Sequence, residues 1–168
     1  TVTVKTGSDD EALQEIEVTT YRSEGKYTDK RNPDEVQYAK TLQEDLSRRD
    51  FTINAMALTL TGEVIDPFNG QDDLKKKIIR SVGDPLKRFN EDALRMMRAV
   101  RFTAQLGFEI EEATKNAIAK LSHTIMLIAH ERIRDEFIKM VKSDAGRVVI
   151  DLMHDVGLLK HIIPELEE

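Results

Sequence analysis

Residues 83–107 read GDPLKRFNEDALRMMRAVRFTAQLG, and the chain changes character there. Gly83-Asp84-Pro85 is helix-start chemistry: Asp84 can cap the first orphan N–H groups, and Pro85 needs no N–H of its own at the first helical position. Leu94, Met97 and Val100 then recur at helical spacing, which predicts one helix over 85–106, closed by Gly107. The same period predicts helices over 111–121, 130–141 and 146–159, with Pro164 marking the tail. Upstream of Asp84 the pattern is mixed. TVTVK and EIEVTTYR alternate apolar and polar residues around a polar turn at residues 7–10, which predicts a hairpin of strands over 1–5 and 15–22. The expected class is α+β, with a mixed strand and helix part over 1–84 and an all-helical part over 85–168.

Between these ends, TLQEDLSRRDFTINAMAL places Leu42, Leu46, Ile53 and Met56 at near-helical spacing, with a break or re-cap at Ser47. TGEVIDPFNG carries turn residues on both sides of a short strand, and QDDLKKKIIRSV has the pattern of a short amphipathic helix. SEGKYTDKRNPDEV has neither period and contains Gly25 and Pro33, so a long exposed loop is expected there. The opening TVTVK has no Met before it and the chain ends on PELEE, which suggests a segment of a longer protein.

Lys and Arg number 25 against 31 Asp and Glu, so the chain lacks the basic excess of a protein that coats nucleic acid. The charge is unevenly placed. Residues 48–101 carry 11 basic against 8 acidic side chains, whereas residues 1–47 carry 6 against 11 and residues 102–168 carry 8 against 12. Cysteine is absent, which excludes disulfides and thiolate metal sites and favours a reducing, cytoplasmic setting. No apolar run reaches the roughly 20 residues of a membrane span.

On a continuous helix, Glu91, Asp92, Arg95 and Arg98 share one stripe with Arg101 or Phe102 next along it. Such a stripe is either a solvated face of i,i+4 ion pairs or a reader of nucleobases. Asp accepts from an exocyclic amino group while Arg donates to ring nitrogens and carbonyl oxygens. Ser47 to Asp50, SRRD, fits a capping box first, although its two adjacent arginines could also hold phosphates with a carboxylate beside them for a ribose hydroxyl. Glu17 is an acid in mid-strand, facing solvent or standing ready as an oxygen ligand for Mg²⁺. The pair His154-Asp155 and the run Lys75–Lys77 read as helix surface.

Taken in order, EVTTYR, EDLSRRDFTINAMA, DPFNGQDDL, IRSVGD and RFNEDALRMMRAVRF resemble the bacterial-type (class II) tRNA nucleotidyltransferases, the CCA-adding enzymes, and their bacterial poly(A) polymerase relatives. The match is close over residues 1–108 and looser beyond. The resemblance implies a polymerase β-like nucleotidyltransferase head, present in part with an antiparallel or mixed sheet, followed by a helical neck. It implies addition of C and A to tRNA 3' ends from CTP and ATP with Mg²⁺. It also implies roles by position. Asp92 and Arg95 would read the Watson-Crick edge of the incoming base, with Glu91 buttressing the arginine and Arg98 and Arg101 turned toward phosphates. Arg49 would contact the triphosphate or sugar, Asp50 the ribose 2'-hydroxyl, with Asn54 as helper, and Glu17 would stand beside the metals. The loop over 23–33 resembles the flexible loop needed to switch from C to A, and DPFNG a hinge-like motif between head and neck.

The family's Asp-x-Asp metal pair is absent from this sequence, as is the body and tail that hold the tRNA elbow. The segment alone is therefore not expected to catalyse transfer. Two alternatives stand beside the CCA-adding assignment: a bacterial poly(A) polymerase, and a non-catalytic nucleotide- or RNA-binding module. If the stripe were only structural ion pairing, its arginines would affect stability and no ligand.

Overall fold

A helix over Leu94–Leu106 runs through the core, packed against the helices over 85–91, 130–141 and 146–155. The computed structural model describes residues 1–23, 37–142 and 145–167. Strands β1 (Val2–Lys5) and β2 (Glu15–Val18) pair antiparallel, with Val2 opposite Val18 and Thr3 opposite Glu17. Strands β3 (Arg22–Ser23) and β4 (Gln37–Tyr38) form a second antiparallel pair. Next come α1 (Leu42–Ser47), a single 3₁₀ turn at Thr52–Asn54, and the antiparallel pair β5 (Ala57–Leu58) and β6 (Val64–Ile65). Helix α2 (Gly70–Lys76) leads into β7 (Ile78–Ile79). The remainder is helical apart from one short strand: α3 (Pro85–Glu91), α4 (Leu94–Leu106), β8 (Glu109–Ile110), α5 (Glu112–Leu121), a 3₁₀ stretch (Ser122–Leu127), α6 (His130–Val141), α7 (Gly146–Asp155) and α8 (Leu159–Ile162).

The α+β class is as expected. The two parts are not separate in space, however, because β7 pairs in parallel with β8 and Phe51, Ile53 and Ile79 join the same core as α4. On α4 itself Leu94, Met96, Met97, Ala99 and Val100 are all buried, beneath α6, α7 and α3. Burying that many apolar side chains at about 1.5–3 kcal/mol each outweighs any preference of this segment for solvent.

Four expectations fail locally, each for a physical reason. The helix predicted over 85–106 is broken at Asp92, whose backbone is extended (φ −144, ψ 106). Its short carboxylate instead caps α4, accepting from Leu94 N–H at 3.0 Å. The helix expected over 71–82 stops at Lys77, in the left-handed region at φ 58, because β-branched Ile78 and Ile79 pair as a strand. The helix over 146–159 is divided at Gly157, which takes φ 69. Ser47 does not open a capping box: it closes α1 and donates to the Glu44 carbonyl at 2.7 Å. The hairpin, the Asp84 cap and the helix over 130–141 agree with expectation. The loop over 23–33 lies, beyond Ser23, outside the described residues.

The DPFNG turn is held by Asp66, whose carboxylate accepts from the N–H groups of Gly70 (2.7 Å) and Gln71 (2.9 Å) at the start of α2. Burial raises the Asp66 pKa, yet these N–H donors outweigh it and hold the carboxyl below its usual value. Gly70 is required by space. A Cβ there would overlap the Thr52 carbonyl oxygen and lie 2.9 Å from its carbon. Gly70→Ala is expected to cost roughly 1–3 kcal/mol through this overpacking, seen as a lower urea midpoint with an unchanged slope.

Candidate functional site

Arg48, Arg49, Asp50, Asn54, Asp92, Arg95, Arg98, Phe102 and Arg132 line one open cleft of about 630 Å³, between the segment following α1 and the face of α4. Local sequence explains how each side chain arrives there. Arg95, Arg98 and Phe102 recur every three or four residues along α4 and so share a face. The segment 48–54 leaves α1 at its C-terminus and is pinned at Asp50, where Oδ1 accepts from Phe51 N–H (2.9 Å) and Asn54 Nδ2 (3.1 Å).

Charges in the cleft are held in pairs drawn from distant parts of the chain. Arg98 Nε donates to Asp50 Oδ2 at 2.7 Å. Arg95 donates to Glu91 (3.1 Å) and to the backbone carbonyl of Arg48 (3.0 Å), which ties α4 to the end of α1. Arg132 of α6 donates to Asp92 Oδ2 at 2.9 Å. Arg101 donates to Glu136 of α6 at 2.7 Å, and its guanidinium stands 4.4 Å from the centroid of the Phe102 ring. Behind the cleft, the buried carboxylate of Asp45 accepts from Arg22 N–H (3.0 Å) and from Arg48 (2.7 Å), so β3 and Arg48 share one anchor.

The stripe is largely withdrawn from solvent. Arg95 and Arg101 have side chains only 12% exposed, which is not a solvated face. Glu91 pairs with Arg95 at 3.1 Å and with Arg88 at 3.0 Å. Arg49 differs from its neighbours in being 47% exposed, with a 3.4 Å contact to Asp45, so its guanidinium can turn toward a ligand. Asp50 already accepts at both carboxylate oxygens and first of all holds Arg98. Arg101 lies behind Phe102, clamped by Glu136 and Gln105 (2.7 Å), rather than in the lining of the cleft.

A profile described as the poly A polymerase head domain matches residues 1–80, and one described as the probable RNA and SrmB-binding site of polymerase A matches residues 107–168. Over residues 1–80 the chain belongs to the poly A polymerase head-domain family. The CCA-adding enzyme of Lactobacillus helveticus is 50% identical over 162 residues, covering 96% of this chain. The chain spans 39% of that relative's length. Among solved structures, the Bacillus stearothermophilus CCA-adding enzyme in complex with CTP superposes with a TM-score of 0.81 at 38% identity, over 93% of this chain and 36% of that one. The Thermotoga maritima CCA-adding enzyme complexed with tRNA gives a TM-score of 0.66 at 33% identity, over 74% of this chain and 32% of that one.

Within this family fold, Glu17 stands apart from the cleft residues, on the exposed strand β2. Among the described residues no three His, Asp or Glu side chains are grouped so as to hold a metal ion. No such group includes Glu17, which is exposed on β2. His154 is a surface residue, 60% exposed and 3.2 Å from Glu167, as its reading from sequence had it. Sequence reasoning missed Arg132 and Glu136. Their i,i+4 spacing in HERIRDEF puts both on one face of α6, but nothing local says that this face meets Asp92 and Arg101.

Glu136 supplies a pH signature. Burial raises its pKa, yet the hydrogen bonds and charges of Lys139 and Arg101 outweigh this and hold it below the ordinary value of 4.5. Asp45 is lowered in the same sense: burial opposes, and Arg22 N–H, Arg48 and Arg49 prevail. A lowered native pKa stabilises the fold fully above the ordinary value, and that share is lost as pH falls through the native one. Glu136→Gln is expected to cost roughly 3–5 kcal/mol at pH 7 by stranding Arg101. It should also flatten the loss of stability below about pH 4.5. Urea denaturation of both proteins at pH 7 and pH 4 checks both effects.

Proposed function

We propose that this chain is the nucleotide-selecting part of an RNA nucleotidyltransferase that adds C and A to tRNA 3' ends from CTP and ATP in the cytoplasm. A partial head occupies residues 1–84 and a helical neck residues 85–168. The observation that carries this reading is the meeting of Asp92 and Arg95 in one cleft with Arg49, Arg98 and the Asp50–Asn54 pair. An ionised Asp92 only accepts, whereas Arg95 only donates. Cytosine and adenine each present an amino donor beside a ring-nitrogen acceptor on the Watson-Crick edge, and guanine and uracil present the reverse. One Asp and Arg pair thus accepts two bases and rejects two. Arg49, the most exposed of the cleft arginines, suits the triphosphate, and the Asp50–Asn54 pair lies beside it for the ribose. The CCA-adding relatives, one of them solved with CTP and another with tRNA, support the same assignment. Mg²⁺ would serve the transfer chemistry of the whole enzyme, and no residue described here is assigned to it.

Calorimetric titration of the chain with CTP, ATP, GTP and UTP tests the reading. CTP and ATP are expected to bind and GTP and UTP not to. Arg95→Ala, verified as folded, should weaken CTP and ATP by roughly tenfold to a hundredfold. Binding of ATP alone would redirect the assignment to a poly(A) polymerase. Equal affinity for all four nucleotides would remove the base-reading role.

A further inference from the structure

We propose that Arg132 is a specificity-determining residue of this site: it fixes the orientation of the Asp92 carboxylate, and the inference rests on the base-reading role given above to Asp92 and Arg95. Like Asp50, Asp92 has a backbone that belongs to no regular element. It stands in the break between α3 and α4 with φ −144 and ψ 106, so helical neighbours do not orient its side chain. Two contacts do. Leu94 N–H donates to Oδ1 at 3.0 Å, and the Arg132 guanidinium spans both oxygens, 2.9 Å to Oδ2 and 3.5 Å to Oδ1. Arg132 comes from the first turn of α6, 40 residues away, and α6 packs along α4, so its reach to Asp92 is set by the fold. Both side chains are largely removed from water, at 27% and 19% exposed.

The chemical consequence concerns the base. An ionised carboxylate can only accept, and so matches the amino group of cytosine or adenine. A carboxylate that has rotated matches neither. A guanidinium fixed against Asp92 selects, through its planar fork, a single orientation of the carboxylate. Arg132 therefore acts through Asp92 and needs no contact with the nucleotide.

The test is the ratio of affinities for CTP and UTP, measured by calorimetry on the whole chain with Arg132→Gln, Asp92→Asn and the double variant. Arg132→Gln is expected to lower the ratio by roughly tenfold. In the Asp92→Asn background the same change should leave the ratio where it is. Arg132→Lys keeps the charge without the fork and is expected to lose a smaller share, a few-fold. A purely structural role for Arg132 predicts equal weakening of both nucleotides, and an unchanged ratio in a folded Arg132→Gln protein overturns the proposal while leaving base reading by Asp92 and Arg95 intact. If the Gln variant does not fold, an unchanged ratio in Arg132→Lys has the same force. A wild-type chain that binds all four nucleotides equally, or none, overturns both this proposal and the reading beneath it.

Discussion

The pairing of Arg98 with Asp50 is the contact on which the rest of the cleft depends, because it holds the face of α4 against a segment 48 residues earlier in the chain. A guanidinium at the edge of a core loses hydration and must recover it from a partner. Asp50 is a prepared partner, since Phe51 N–H and Asn54 Nδ2 fix its carboxylate before Arg98 arrives. Phe51 also packs edge-on against Phe102, with ring centroids 5.8 Å apart, so the polar and apolar contacts join the same two segments. Buried pairs of this kind add little net stability over apolar residues of the same shape. What they supply is position: each has a geometry that fails if either segment slides.

The break at Asp92 turns a helical stripe into a site. In an unbroken helix the carboxylate would lie along the surface of α4, within reach of Arg95 and Arg88 only. Extended backbone at Asp92 instead swings it between α4 and α6, where Leu94 N–H and Arg132 meet it. Acid and arginine then present complementary hydrogen-bonding groups to the same space. Their remaining partners, Glu91 and the carbonyl of Arg48, lie behind them.

A second polar chain joins the earlier part of the molecule to the later helices. Thr52 Oγ1 donates to the buried Asp73 at 2.7 Å, and Arg80 bridges Asp73 (3.0 Å) to Glu111 (3.0 Å). Glu111 caps α5 by accepting from Thr114 N–H at 2.8 Å, and Thr114 Oγ1 accepts from Ser81 N–H at 3.1 Å. Because Thr52 is two residues beyond Asp50, this network anchors the segment that carries Asp50. Gly70 fits the same place, since only a residue without a side chain lets α2 approach the Thr52 carbonyl.

Much of this was legible in the sequence, for local reasons. Turn residues and alternation marked the first hairpin, Asp84 and Pro85 marked a helix start, and the helical period of Leu94, Met97 and Val100 marked the buried side of α4. The cleft residues Arg49, Asp50, Asn54, Asp92 and Arg95 lay in motifs short enough to recognise. The end of α2 and the break at Asp92 were harder, because strand pairing with β8 and a side-chain cap overrode a helical pattern. Which charges meet was decided only in three dimensions. Arg132 and Glu136 look like ordinary helix-surface residues until α6 packs on α4, and Arg101 is aimed at Glu136 rather than outward. Local sequence thus determined the elements and the inventory of charges, through capping, turn chemistry and period. The partners of Arg98, Arg101 and Arg132 followed from tertiary packing, because an ion pair depends on distance in space and a separation of 35 to 48 residues carries no record of it.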